Sequence, residues 1–163
     1  MNQTEINEII FQHELWLSNI EKGRRGNFYN KDFSNADFSN ADISHIYLTN
    51  TNLTGAKFVR ARLVGSYLPR ANLSHTDFSH AILNRVNLYN VDLTHANLSY
   101  VDLTRVYFSN AHLINAFPQT PIRFIHADLS HTNLSNAIIT FKQFQYIIRN
   151  FKDVSLHNIK VQL

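Results

Sequence analysis

The chain has 163 residues, of which 44% are hydrophobic and 17% charged, which suits one domain with a sizeable core and excludes a disordered chain. It has no cysteine, which excludes disulfides and thiolate metal sites, and no apolar run near the roughly 18 residues of a membrane span. Of the net charge of +3, residues 1–27 carry −1, residues 28–139 carry +1 and residues 140–163 carry +3, so the body lacks the basic stripe that nucleic-acid binding would need.

The N-terminus, MNQTEINEIIFQHELW, has no basic start leading into an apolar run; no signal peptide is expected, and the expected location is cytoplasmic. Ile6, Ile9, Ile10, Leu17 and Ile20 recur at helical spacing, with Asn2 and Glu5 placed as a capping box. This predicts an amphipathic helix over residues 3–21, with Trp16 near its junction with the repeats. Gly23 and Gly26 then turn the chain, closing an N-terminal segment of residues 1–27.

From Phe28 every fifth residue is Phe, Leu or Ile, through Phe33, Phe38, Ile43, Leu48 and onward to Leu113, 18 positions without exception. Two residues before each stands a small residue, as at Ala36, Ala41, Ala56, Ala61, Ala71, Ala81 and Ala96, with Val, Thr or Ser at most others. The unit reads Ala71-Asn72-Leu73-Ser74-His75. A period of five fits neither a helix nor a plain strand. It fits a short extended piece followed by a corner: the small and large residues point inward, Asp/Asn and Ser/Thr point outward, and the fifth residue bends. The bends Asn35, Asn40, His45, Asn50, Gly55, Gly65, His75, His80 and Asn90 are types that tolerate tight turns.

The register breaks after Leu113. Pro118 occupies the next central position, and two prolines within residues 114–123 argue for a loop or bulge of one or six extra residues. Units resume at Ala127-Asp128-Leu129 and Thr132-Asn133-Leu134. Thr140 and Gln143 form a second capping box ahead of Phe141, Phe144, Ile147, Ile148 and Phe151, which predicts a helix over the last coil. In the tail, Val154, Leu156, Ile159, Val161 and Leu163 are too apolar to stay in water. They predict either a fold-back or an end-to-end homodimer through the tail.

Over residues 28–113 and again at 127–134, these units resemble the pentapeptide-repeat proteins. The resemblance implies an all-β solenoid, a right-handed quadrilateral β-helix with four pentapeptides per coil, here with an N-terminal and a C-terminal capping helix. The whole chain, 1–163, then forms a single domain: 1–27 as cap, 28–139 as β-helix with its loop, 140–163 as capping helix and tail. It implies a non-enzymatic protein-interaction scaffold without cofactor. One branch of the family acts on DNA gyrase as an acidic mimic of duplex DNA. With seven Asp and no Glu in 28–139, this chain lacks that acidic surface.

No catalytic or metal site is predicted. Asp77, Ser79 and His80 stand together because the repeat supplies those types many times, and His75 and His95, one coil apart, lack a third ligand. Two candidate binding surfaces for an unknown protein partner remain. The first is the wall centred on Phe28, Leu48, Leu68, Leu88 and Phe108, with Tyr29, Tyr47, Tyr67, Tyr89 and Tyr107 beside Asn50, Arg70 and Asn90. The second is a basic corner made of Lys57, Arg60, Arg62, Arg85 and Arg105.

Overall fold

The computed structural model of the chain describes residues 1–113, 116, 129, 132, 134 and 138–162. Its elements are α1 (Gln3–Ser18), β1 (Ile138–Thr140), α2 (Phe141–Asn150) and β2 (Lys160–Gln162). Between α1 and residue 113 the chain winds in coils of 20 residues. Parallel bridges join Asn27 to Tyr47, Tyr47 to Tyr67, Asp32 to Asn52 and so on, each residue meeting its counterpart 20 positions later. Four pentapeptides therefore make one turn of a β-helix. Its faces are numbered by their inward residues in the first coil: face 1 at Phe28, face 2 at Phe33, face 3 at Phe38, face 4 at Ile43.

The five-residue unit has a physical account at each position. Its central residue is buried from Phe28 to Leu113, and the small residue two before it is buried in nearly every unit from Ala36 onward. Phe38, Phe58 and Phe78 stack along face 3 with ring centroids 5.0 and 4.7 Å apart. Where Thr or Ser replaces the small residue, its hydroxyl donates to a carbonyl: Thr51 to Phe28 at 3.0 Å, Ser66 to Ile43 at 2.8 Å. A buried hydroxyl is tolerated because it is satisfied.

The outward Asp or Asn folds over its own backbone. Asp32 accepts from the Ser34 amide at 2.9 Å, Asn52 from Thr54 at 3.2 Å and Asp92 from Thr94 at 2.9 Å. The backbone bond from Ser34 holds the Asp32 carboxyl below the usual carboxylate range, and the Ser39 hydroxyl does the same for Asp37. The fifth residue is left-handed at every corner from Asn30 to Asn110, with φ between 55° and 69°. Asn, Gly and His hold most of these corners; Arg60, Arg70, Arg85, Tyr100 and Arg105 hold the rest.

Side chains of helix α1 and of Arg25, which follows it, hydrogen-bond to backbone groups of the first coil. The Gln3 amide donates to the Asp37 carbonyl at 2.8 Å and accepts from the Asp37 amide at 3.0 Å. Glu14 accepts from the Asp42 amide at 3.0 Å, and the Arg25 guanidinium donates to the His45 carbonyl. The helix is shorter than its periodicity predicts, ending at Ser18 with Asn19 as its C-cap, and Ile20 is exposed. Ile6 is buried as expected, but the other fully buried residue of α1 is His13. Both capping boxes form, Asn2 with Glu5 and Thr140 with Gln143.

Past the register break, Ala116 keeps the buried small position. The Thr132 hydroxyl donates to the Phe108 carbonyl, a separation of 24 residues where Thr51 to Phe28 spans 23. The intervening coil thus carries one extra residue, not six. Phe117 and the rest of the expected loop lie outside the described residues.

The tail is a further piece of coil. The Leu134 amide donates to the Ser155 carbonyl and the Ser155 amide to the Thr132 carbonyl, at 2.9 and 3.0 Å. β2 then pairs in parallel with β1, with Ile139 opposite Val161. Asn158 turns the corner between Ser155 and β2 at φ 53°. Val154, Leu156 and Ile159 pack half-buried against the core. Helix α2 follows β1 directly and buries Ile147.

Candidate interaction face

Face 1 gathers the tyrosines because its outward positions recur every 20 residues. Tyr47, Tyr67 and Tyr107 share one column and are 42%, 42% and 40% exposed. Tyr29 is exposed and Tyr89 half-buried in the neighbouring column. Tyr47 and Tyr67 meet edge to face with centroids 6.2 Å apart, and Tyr89 and Tyr107 lie 6.1 Å apart at 23°. Asn50, Arg70 and Asn90 stand exposed along the corner after these tyrosines.

Arg25 joins this face, which the sequence reading missed. Its guanidinium carbon lies 3.9 Å from the Tyr47 ring centroid and 5.2 Å from that of Trp16, and it donates to the Tyr47 hydroxyl at 3.1 Å. The signal was available, since Arg25 stands 20 residues before His45 and shares its corner.

The predicted basic corner does not form as one feature. Lys57 lies on face 3 and Arg60 at the corner between faces 3 and 4. Arg62 lies on face 4, paired with Asp42 at 3.2 Å. Arg85 and Arg105 occupy the corner between faces 4 and 1. A run of basic residues spaced by other than 20 is dispersed by the winding. Arg85 and Arg105 instead border the tyrosine face, opposite Arg70. On their own corner Gly65, at φ 66°, leaves room for the His45 ring, which a Cβ would meet at 2.8 Å.

The histidine pair does not converge. His75 and His95 stack with centroids 5.0 Å apart at 17°, so their in-plane lone pairs point in parallel rather than toward one ion. His80 stacks likewise on Tyr100, at 4.7 Å and 8°. Among the described residues no group of three or more His, Asp or Glu could hold a metal, and no helix is long and apolar enough to cross a membrane. A shallow groove between α1 and the first coil includes Glu14 and Asp37, but the Glu14 carboxylate accepts a backbone amide and Asp37 is tied to Ser39. His13 is buried among the coil and the turn after α1. Burial lowers its pKa against opposing contributions from the Ser44 carbonyl and Asp42.

The family model described as "Pentapeptide repeats" matches the chain with 8 copies, over residues 24–55, 32–70, 46–85, 71–110 and 87–117. The chain is similar in fold to a pentapeptide repeat protein, Rfr23, from the cyanobacterium Cyanothece 51142. Identity is 17%, with 94% of this chain and 95% of that one covered and a TM-score of 0.56. It is also similar to a trypsin-treated variant of QnrB1, a plasmid-mediated fluoroquinolone resistance protein. There identity is 18%, with 88% and 68% of the chains covered and a TM-score of 0.52. Among curated proteins, none matches the chain in sequence.

Proposed function

Because this chain belongs to the pentapeptide-repeat family, we propose that it is a non-enzymatic protein-interaction module, with the β-helix as rigid support and face 1 as its contact surface. The observation that carries this reading is the exposure of Tyr47, Tyr67 and Tyr107 in one column, beside Arg and Asn corners. Tyr and Arg supply large contact area and directional bonds at low entropic cost, and they dominate interface hot spots. A right-handed winding, caps formed by α1 and α2, and a cytoplasmic location belong to the same proposal. So does end-to-end pairing of two copies at the C-terminal end, where Phe141, Ile148 and Val161 are exposed.

A gyrase-directed reading has less support. The likeness to QnrB1 is one of fold, and the carboxylates that a duplex mimic needs are few, those from Asp32 to Asp102 being dispersed over three faces. The test is affinity capture from cell extract with the intact chain and with Tyr67→Ala/Tyr107→Ala as baits. A protein retained by the first and lost from the second supports the reading; equal retention by both removes face 1 from it.

A further inference from the structure

Among the described residues from Arg25 to Asn110, face 1 carries no carboxylate. From Arg25 to Asn110 its outward and corner positions include Arg25, Arg70, Arg85 and Arg105 and neither Asp nor Glu. The six Asp residues from Asp32 to Asp102 stand two each on faces 2, 3 and 4. A body that is near neutral in total is therefore segregated in space, and its basic side is the aromatic one.

Arg85 and Arg105 are one coil, about 4.8 Å, apart on the same corner. Both are exposed and neither has an ion pair among the described residues. Both sit at positive φ, 61° and 60°, where Gly has no Cβ to clash with the backbone and Asn is tolerated because its short amide can hydrogen-bond locally. Two unpaired guanidiniums at strained corners are not explained by the needs of the coil. Tyr and Arg present with Lys, Asp and Glu absent is the composition of protein interface cores.

We infer that face 1 docks a protein segment bearing closely spaced carboxylates. Arg85 and Arg105 each take one carboxylate through paired N–H···O bonds, and Tyr67 and Tyr107 pack beside the segment. The inference rests on the reading of face 1 as the contact surface. An acidic polypeptide fits better than single-stranded nucleic acid, whose bases need open ring faces on which to stack. Here Arg25 covers Tyr47, Tyr67 meets Tyr47 at 82°, and Tyr89 and Tyr107 cover each other.

The test is fluorescence anisotropy with three labelled probes: the peptide (Glu-Leu-Glu-Gly) repeated five times, its Lys-for-Glu counterpart, and a dT oligonucleotide of the same length. The proteins are the intact chain, Arg85→Asn/Arg105→Asn, Lys57→Asn/Arg60→Asn and Tyr67→Ala/Tyr107→Ala. Asn suits a left-handed corner, so the arginine variants keep the fold. The acidic probe should bind best and weaken about tenfold between low and high salt. Arg85→Asn/Arg105→Asn should weaken it at least about tenfold, and Lys57→Asn/Arg60→Asn by less than about twofold. Equal loss in both arginine variants, tighter binding of the dT probe, or no binding of the acidic probe at low salt would overturn the inference. Binding of the basic probe that Tyr67→Ala/Tyr107→Ala abolishes would overturn it while leaving face 1 as the contact surface.

Discussion

The Nδ1 atom of His13 accepts a hydrogen bond from the Gly26 amide at 3.0 Å, while its Nε2 lies 2.8 Å from the Ser44 carbonyl. The ring must therefore be neutral with its proton on Nε2, since a proton on Nδ1 would face the Gly26 N–H. One imidazole thus pins α1, the turn after it and the first coil together.

The pKa of His13 is lowered by burial, so below about 6.5 the unfolded chain binds more protons than the folded one. The stability it contributes is complete above that pH and is lost as pH falls toward the folded value. Amide exchange in α1 should accelerate between about pH 7 and pH 5 relative to the central coils, after correction for intrinsic rates. His13→Gln, which keeps a donor and an acceptor without titrating, should abolish the difference. Equal pH dependence in both proteins would show that His13 does not hold the helix.

Leu73 is fully buried at the centre of the coil, and Leu73→Ala should cost about 2–5 kcal/mol in urea unfolding through the cavity it leaves. Asn72, beside it, accepts from the Ser74 amide and hydroxyl at 3.0 and 2.7 Å. Asn72→Ala should cost about 1 kcal/mol, the net value of such bonds. Comparable losses would contradict the division of inward and outward positions.

Arg60 holds φ 59° at an exposed corner with no side-chain partner among the described residues. Arg60→Asn should raise stability by up to about 1 kcal/mol, because the short Asn amide can hydrogen-bond locally and offset the cost of the left-handed corner. A loss of stability would mean that the guanidinium contributes packing to the coil.

The chain should leave gyrase supercoiling and its quinolone sensitivity unchanged, because its body is near neutral and face 1 is basic. Inhibition or protection at sub-micromolar protein in a supercoiling assay would restore the duplex-mimic reading.

End-to-end pairing predicts a dimer mass by light scattering for the intact chain. Ile148 is 51% exposed on α2, so Ile148→Glu should give the monomer without unfolding it. A monomer mass for the intact chain at high concentration would remove the pairing.

The repeat determined by itself the 20-residue coil, the inward columns from Phe28 to Leu113, the corner positions and the tyrosine face. Each unit meets the same surroundings, so one local pattern, repeated, states its own environment. The tertiary structure alone decided what is not repeated. The single extra residue before Leu129 depends on which carbonyl Thr132 reaches. The place of the tail depends on Ser155 finding the edge left open by Thr132 and Leu134. His13 lies on a helix whose apolar periodicity is carried by isoleucines, yet it is buried because two backbone groups of other segments match its two nitrogens. The arginines look like a cluster along the chain and are parted by the winding, since only residues 20 apart share a corner. Contacts between distant, unlike segments are set by geometry that no local period encodes.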